Sequence, residues 1–328
     1  MSKKNIAVIM GGFSSEVAIS MLSGNTVCKH LDTKKYTVYP ISILKDGWYC
    51  IHPDHKSIPV DKSDFTVSID GYKVKFDCVF NTIHGTPGED GIIQAYFDLL
   101  NIPQTACDYY AAALTFNKRD CISALKAYGI KTATNYFLNT GDAINTSEIV
   151  AKVGLPCFVK ANKAGSSFGV SKVYAEEELE TAIEHSFKED DEIIIESFLE
   201  GTEVSVGVIN YHGKIQTLPV TEIVSDNDFF DYEAKYAGKS QEITPARISQ
   251  EQTENVQRQA EQVFKVLKLK GLTRAEFIFH NGEPHFLEVN TTPGLSPASI
   301  IPQQAKVAGI SLPDLFENVI EQAISAKK

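Results

Sequence analysis

Ile6 to Met10 is an unbroken apolar run, the pattern of a strand covered on both faces. Gly11-Gly12 breaks it, and Ser14 or Ser15 stands where a cap would start a helix reaching about Leu31. A second strand is predicted near Tyr36 to Leu44. Asp70-Gly71, between Val67-Ser-Ile69 and Tyr72-Lys-Val74, is a two-residue hairpin signal. Asp77 to Thr82 reads as another buried strand, followed by a Gly/Pro loop and a helix over Ile92 to Leu100. Strands alternating with helices predict a small, largely parallel α/β domain over 1–105.

The pattern then changes. Two helical stretches lead to Pro156–Lys160 and Gly169–Tyr174, apolar segments joined by a Gly/Ser loop, and then to a Glu-rich helix. Two strands so joined form a hairpin and not a strand–helix unit, which predicts a separate lobe over 106–195. The remainder, 196–328, takes over at the strand from Asp191 to Glu196 and continues with one over Val204–Ile209. A helix is predicted over Ser249–Leu269, because Val256, Ala260, Val263, Phe264 and Leu267 share one helical face. A hairpin around Arg274–Asn290 and a C-terminal helix complete three lobes in series.

With 43% apolar and 22% charged residues, each lobe can bury a core of its own. Thirty-one basic against 42 acidic side chains leave a net charge of −11, which repels phosphate backbones and argues against nucleic acid as a partner. An anionic substrate must therefore meet a local basic cluster. Cysteines 28, 50, 78, 107, 121 and 157 are scattered without a Cys-x-x-Cys pair, so neither zinc-ligand spacing nor a disulfide framework is present. Reduced thiols in the cytoplasm are expected. The apolar runs are too short for a membrane span, so no membrane partner is expected.

The sharpest chemical signal is Thr273-Arg-Ala-Glu276, continuing through Asn281-Gly282 to Glu288-Val-Asn290. Aromatic and branched neighbours place both acids in or beside a core sheet, where a carboxylate is costly unless paired or bound to a cation. If Glu276 lies opposite Glu288, then Arg274 lies opposite Asn290 and all four share one face. That register predicts a three-residue loop, Asn281-Gly282-Glu283; a two-residue Asn-Gly turn would put the acids on opposite faces. Two carboxylates and an amide oxygen make a site for a hard cation such as magnesium, with Arg274 adding a fixed positive charge. The alternative is a solvated charged hairpin.

Lys160 to Gly169 holds two lysines, two glycines and two serines, a composition able to fold over a triphosphate. Neither a Walker A loop nor G-x-G-x-x-G occurs. Lys118 is a third basic candidate. Glu16, after the first glycine turn, either compensates a helix dipole or binds a substrate ammonium. His84, in a Gly/Pro-rich loop, either orients substrate or satisfies backbone groups.

Four segments in this order, His84-Gly85…Gly88-Glu89-Asp90-Gly91, Gly165-Ser166-Ser167…Gly169, Tyr232-Glu-Ala-Lys235-Tyr236 and Glu288-Val-Asn290-Thr-Thr-Pro-Gly294, resemble the D-alanine–D-alanine ligase family of the ATP-grasp superfamily along nearly the whole chain. The resemblance implies two α+β ATP-grasp lobes enclosing ATP behind the α/β domain, a homodimer, and magnesium with manganese as a possible substitute. It makes Glu276, Glu288 and Asn290 metal ligands and sets Arg274 to stabilise the acyl phosphate and the tetrahedral species. Lys118, Lys160 and Lys235 would contact ATP phosphates, and Ser167 would cover them. Glu196, Ser197, Phe198 and Leu199, with Glu203, would hold adenosine. Glu16 would hold the first D-alanine's ammonium, with Ser166 and Tyr236 completing a triad, while His84, Gly294 and Ser299 would serve substrate binding. A phenylalanine typically replaces Tyr236 in relatives that make D-alanyl-D-lactate, so the hydroxyl favours an amine acceptor. Two positions depart from the pattern: Glu276 where Asp is commoner, and Ser197 where Lys is frequent.

The reading is thus an ATP-dependent ligase making D-alanyl-D-alanine for peptidoglycan precursors. Two others compete with it: a different ATP-grasp carboxylate–amine ligase, and a nucleotide-binding regulator without turnover. The substrate-side Glu16 and Tyr236 segments argue against the first. The joint presence of Arg274, Glu288 and Asn290 argues against the second.

Overall fold

The computed structural model describes residues 3–51, 54, 56–165, 168–225 and 240–326. Among them, strands form sheets of seven, four and six members. The first sheet is built from β1 (Lys4–Gly11), β2 (Tyr36–Leu44), β3 (Gly47–Ile51), β4 (Ser57–Asp61), β5 (Thr66–Ile69), β6 (Tyr72–Val74) and β7 (Cys78–Asn81). Its order is β6-β5-β4-β3-β2-β1-β7. Only β2-β1-β7 is parallel, and β3 to β6 extend it as an antiparallel meander, so the sheet is mixed. The run Ile6 to Met10 is fully buried, as a central strand flanked by β2 and β7 must be. Asp70-Gly71 makes the β5–β6 turn with both φ angles positive, at 50° and 80°.

Helix α1 (Val17–His30) starts later than the serines suggested, with Glu16 at its cap position and no side-chain cap. Ser14 Oγ instead accepts from Glu16 N at 3.2 Å and donates to the His84 carbonyl at 3.1 Å, tying the first glycine turn to the second loop. Helices α2 (Ile92–Leu99), α3 (Tyr109–Phe116) and α4 (Lys118–Lys126) follow.

The four-stranded sheet has the order β10-β9-β11-β8, with β8 (Asn135–Asn139), β9 (Cys157–Ala161), β10 (Ser171–Val173) and β11 (Glu192–Ser197). Its face is covered by α5 (Thr146–Val153) and α6 (Leu179–Ser186) through Ile149, Leu179 and Ile183. The β9–β10 hairpin is antiparallel, as the apolar pattern predicted. β11, read as the first strand of the last lobe, pairs instead with β8 and β9.

The six-stranded sheet holds β12 (Gly201–Tyr211), β13 (Lys214–Thr217), β14 (Thr221–Ser225), β15 (Ser240–Ile243), β16 (Leu272–His280) and β17 (Glu283–Asn290). Helix α7 (Gln250–Val266) is opened by a Ser249–Gln252 capping box and lays Val256, Ala260, Val263 and Phe264 on it. Ala111, Ile122 and Leu125 of α3 and α4 join this same core, although sequence order places them with the central lobe. After α8 (Ile300–Val307), the last helix α9 (Leu312–Ala326) turns Phe316 and Ile320 onto Ile6, Val8 and Phe80 of the first sheet. Phe80 and Phe316 meet edge to face at 5.5 Å. Helices therefore pack on sheets of lobes other than the one sequence order assigns them to.

The Arg274–Asn290 hairpin corrects one expectation and keeps its consequence. Asn281-Gly282 is a two-residue turn, with φ of 52° and 81° and His280 paired to Glu283. Glu276 nevertheless faces Glu288, and Arg274 faces Asn290. A β-bulge at Glu276/Phe277 absorbs the missing residue, because Phe277 pairs with Phe286 and Leu287 is the extra residue. Phe286 and Val289 both point into the core under α7, leaving Leu287 and Glu288 together on the opposite, open face.

Candidate active site

Two cavities meet on that open face. The first, about 920 Å³, lies between the four-stranded and six-stranded sheets. Lys160 enters from β9, Glu196 from β11, Glu203 from β12, Glu276 from β16 and Glu288 from β17. Lys118 comes from the start of α4, and Phe158, Val170, Leu199, Ile278 and Leu287 supply apolar walls. Ser197 also lines the cleft; Phe198 does not, and its ring packs toward Phe158 at 6.2 Å.

Lys160 Nζ bonds Glu196 Oε2 at 2.8 Å, and Glu196 is 4% exposed. Burial works against the Lys160 charge, but Glu196, Glu288 and Glu203 outweigh it and raise its pKa, so the lysine stays cationic. Lys118 Nζ donates to the Ala164 carbonyl at 2.7 Å and lies 3.8 Å from Glu288 Oε2. Cleft and loop thus share a cation at their junction.

The second cavity, about 1160 Å³, is lined by Glu16, His84 and Glu89 from the first sheet's loops. Across from them stand Arg274, Asn290, Gly294, Ser296, Ser299 and Glu242. Gly165 and Glu288 line both cavities. A Cβ added at Gly165 would stand 2.8 Å from Glu16 Oε2, so the loop passes directly against that carboxylate. Arg274 bonds Glu276 and reaches Ser205 Oγ at 3.2 Å. Burial would lower its pKa, yet Glu276, Glu288 and Glu242 raise it, which keeps the guanidinium charged out of water.

His84 is 6% exposed, and its Nε2 lies 3.4 Å from Ser23 Oγ, which accepts from Leu295 N at 3.1 Å. Among the described residues its ring meets a hydroxyl, not a backbone group. Burial, with the nearby Arg274 charge, depresses its pKa to about 4. Between pH 6.5 and 4 an unfolded chain would carry that proton and the folded one would not, so stability falls as pH falls through this window. The expected loss is about 3 kcal/mol. Urea unfolding at pH 7 and pH 4.5 should show a markedly smaller pH dependence for His84→Asn; equal slopes would refute the buried neutral imidazole.

Ser166, Ser167, Lys235 and Tyr236 lie outside the described residues. All the other predicted site residues except Phe198 line one of the two cavities. Sequence reasoning missed two carboxylates. Glu89, in the loop already singled out for His84, accepts from Gly85 N at 2.8 Å; burial and then Glu16 push its pKa well above the carboxylate range. Its signal was an acid inside a Gly/Pro loop leaving a buried strand. Glu242 sits in Ser240-Gln-Glu-Ile243, where no periodicity or motif marks it.

Comparison with known proteins identifies the family. Residues 5–107 match the family model described as D-ala D-ala ligase N-terminus, and 124–321 match D-ala D-ala ligase C-terminus. A D-alanine–D-alanine ligase from Flavobacterium johnsoniae is 64% identical over 322 residues, covering 98% of this chain and all of the relative. The crystal structure of VanG D-Ala:D-Ser ligase from Enterococcus faecalis superposes with a TM-score of 0.88 at 32% identity, covering 98% of this chain and 100% of that one. A Bacillus anthracis D-alanine–D-alanine ligase complexed with ATP reaches 0.79 at 28% identity, covering 99% and 98%.

Proposed function

The chain belongs to the D-alanine–D-alanine ligase family, and on that premise we propose how its own residues join two D-alanines at the expense of ATP. The fold is ATP-grasp and the enzyme is an ATP-dependent ligase of peptidoglycan precursor synthesis. One observation carries the site assignment: the two cavities touch at Gly165 and Glu288. A phosphoryl group held in the first can there reach a carboxylate held in the second.

In this reading the apolar walls from Phe158, Val170, Leu199 and Leu287 take the adenine, and Glu203 takes the ribose. Lys118 and Lys160 hold phosphate oxygens, in line with their places beside Glu288 and Glu196 in the first cavity. Ser167, Lys235, Ser166 and Tyr236 keep the roles implied by the family resemblance.

Glu276, Glu288 and Asn290 fit a magnesium ion. Both carboxylates lie on one face, and Asn290 Nδ2 is buried without a hydrogen-bond partner among the described residues, so the amide side chain is not committed elsewhere. Manganese suits the same oxygen set. Bound there, the metal supplies neutralising charge for the phosphates and for the transferred phosphoryl group.

Glu16, 8% exposed beside the Gly165 loop, holds the first D-alanine's ammonium and aims its carboxylate at the junction. His84 borders the same bound amino acid as a neutral group. Transfer of the γ-phosphoryl group makes an acyl phosphate, and the second D-alanine's amine displaces phosphate from it. Arg274 faces that carbonyl and stabilises its oxyanion, while Gly294 and Ser299 line the acceptor's place. Since the protein positions reactants and meets their charge, no protein nucleophile is needed.

We place the functional lobes at 1–105, 106–195 and 196–328, with β11 belonging to the central sheet through Ser197. A cytoplasmic homodimer is our further reading. Six cysteines without disulfides support the compartment, and no helix among the described residues is long and apolar enough to cross a membrane. The decisive experiment is phosphate release from ATP with D-alanine, combined with mass analysis of the product. Release that depends on both substrates, with D-alanyl-D-alanine formed, is expected; folded protein releasing none would refute the function.

A further inference from the structure

The reaction brings two ammonium groups into one cavity, and Glu16 accounts for only one. Glu242 is placed to meet the other. On β15 it stands directly opposite Ile223 of β14, and Ile223 packs on Ile300 at the start of α8. That register turns Glu242 into the cavity it lines with Arg274, Gly294 and Ser299. Gln303, one turn into α8, fixes it: Nε2 donates to Glu242 Oε2 at 2.9 Å and to the Ala298 carbonyl at 2.7 Å. The carboxylate is thereby tied to the 294–299 segment, which lines the cavity with Gly294, Ser296 and Ser299.

Arg274 offsets this carboxylate only in part, because its hydrogen bonds run to Glu276 and Ser205 and not to Glu242. Glu242 is also largely withdrawn from water. Burial raises its pKa, and Arg274 and Gln303 lower it in part. A recessed anion beside a bound zwitterion's path is costly until a cation joins it.

We propose that Glu242 receives the ammonium group of the second amino acid and so favours amino acids over hydroxy acids as acceptors. The inference rests on the ligase reading above. It adds a specificity-determining residue at the acceptor end, acting by attraction of the charged form of the acceptor on binding.

The test uses the full chain with saturating ATP, D-alanine as donor, and D-alanine and D-lactate competing as acceptors. Glu242→Gln keeps the oxygen that Gln303 bonds and removes only the charge. It should raise the acceptor KM about 10- to 100-fold, as expected for losing a charge-assisted hydrogen bond. The KM values for ATP and for the first D-alanine should stay within about twofold, since the variant leaves Glu16 and the nucleotide cleft untouched. The dipeptide-to-depsipeptide ratio should fall by a similar factor, and Glu242→Asp should recover part of both effects. If Glu242→Gln does not fold, Gln303→Leu, which releases the carboxylate, should also raise the acceptor KM. An unchanged acceptor KM and product ratio would overturn the proposal, and so would all three KM values rising together. Parent protein inactive with D-alanine would refute the ligase reading itself, whereas an active parent with an indifferent variant refutes only Glu242.

Discussion

Arg274→Met is expected to bind ATP nearly as the parent does and to make D-alanyl-D-alanine at least about 10³-fold more slowly, the scale of losing a positive charge aimed at a developing oxyanion. The separation follows from where the side chain points. Arg274 lines the substrate cavity and is absent from the walls of the nucleotide cleft. Methionine keeps most of the length and removes the guanidinium, so the cavity shape survives while the one Lys or Arg charge among its described lining residues does not. Glu276 loses its hydrogen-bonded partner, and Glu288 and Glu242 lose a nearby opposing charge. Uncompensated buried carboxylates typically cost about 3–5 kcal/mol, so the variant should also melt lower, with magnesium restoring part of the difference. Calorimetric titration with a non-hydrolysable ATP analogue, product analysis and thermal melts with and without magnesium read the three effects. Turnover above a tenth of the parent rate would show that Arg274 does not face the bond being made.

Glu288→Gln should be almost as severe and should differ in kind. This carboxylate alone lines both cavities together with Gly165, opposes Glu276 across the hairpin, and lies 3.8 Å from Lys118. An amide preserves the volume and one oxygen but removes half the negative charge offered to the metal. Activity at a fixed low magnesium concentration should fall by about 10²–10³-fold, with the half-saturating magnesium concentration displaced upward. Saturating magnesium should recover part of the loss, a recovery not expected for Arg274→Met. The comparison therefore separates a metal ligand from a transition-state contact on the same hairpin. If the magnesium titration of Glu288→Gln matched the parent's, the ligand assignment would fail while that of Arg274 stood.

Among the described residues, Glu16, Glu242 and Glu288 gather around Arg274 in the second cavity, while burial holds Glu89 toward its protonated form. Such a site is poorly balanced when empty and better balanced once two ammonium groups and a divalent cation enter. That imbalance makes binding energy available for ordering the reactants.

Much of this was legible in the chain itself, because local patterns determine local structure. Ile6–Met10 had no polar face and could only be a covered strand; the α7 stripe at Val256, Ala260, Val263 and Phe264 could only be one side of a helix. Acids among aromatics on one hairpin marked it as the segment to watch, and the four motifs led to the family that the relatives share. What tertiary structure decided lay beyond such patterns. The Asn281-Gly282 turn takes two residues, and by sequence logic that separates Glu276 from Glu288. The bulge at Leu287 reunites them because Phe286 and Val289 must both reach the core beneath α7. Nothing adjacent in sequence encodes that requirement. For the same reason α9 packs on the first sheet, α3 and α4 join the last one, and Glu242 meets Gln303 some 61 positions away. Periodicity reports which face of an element is buried, whereas the partner that buries it, and hence the meeting of two cavities at Gly165 and Glu288, is settled only when the whole chain packs.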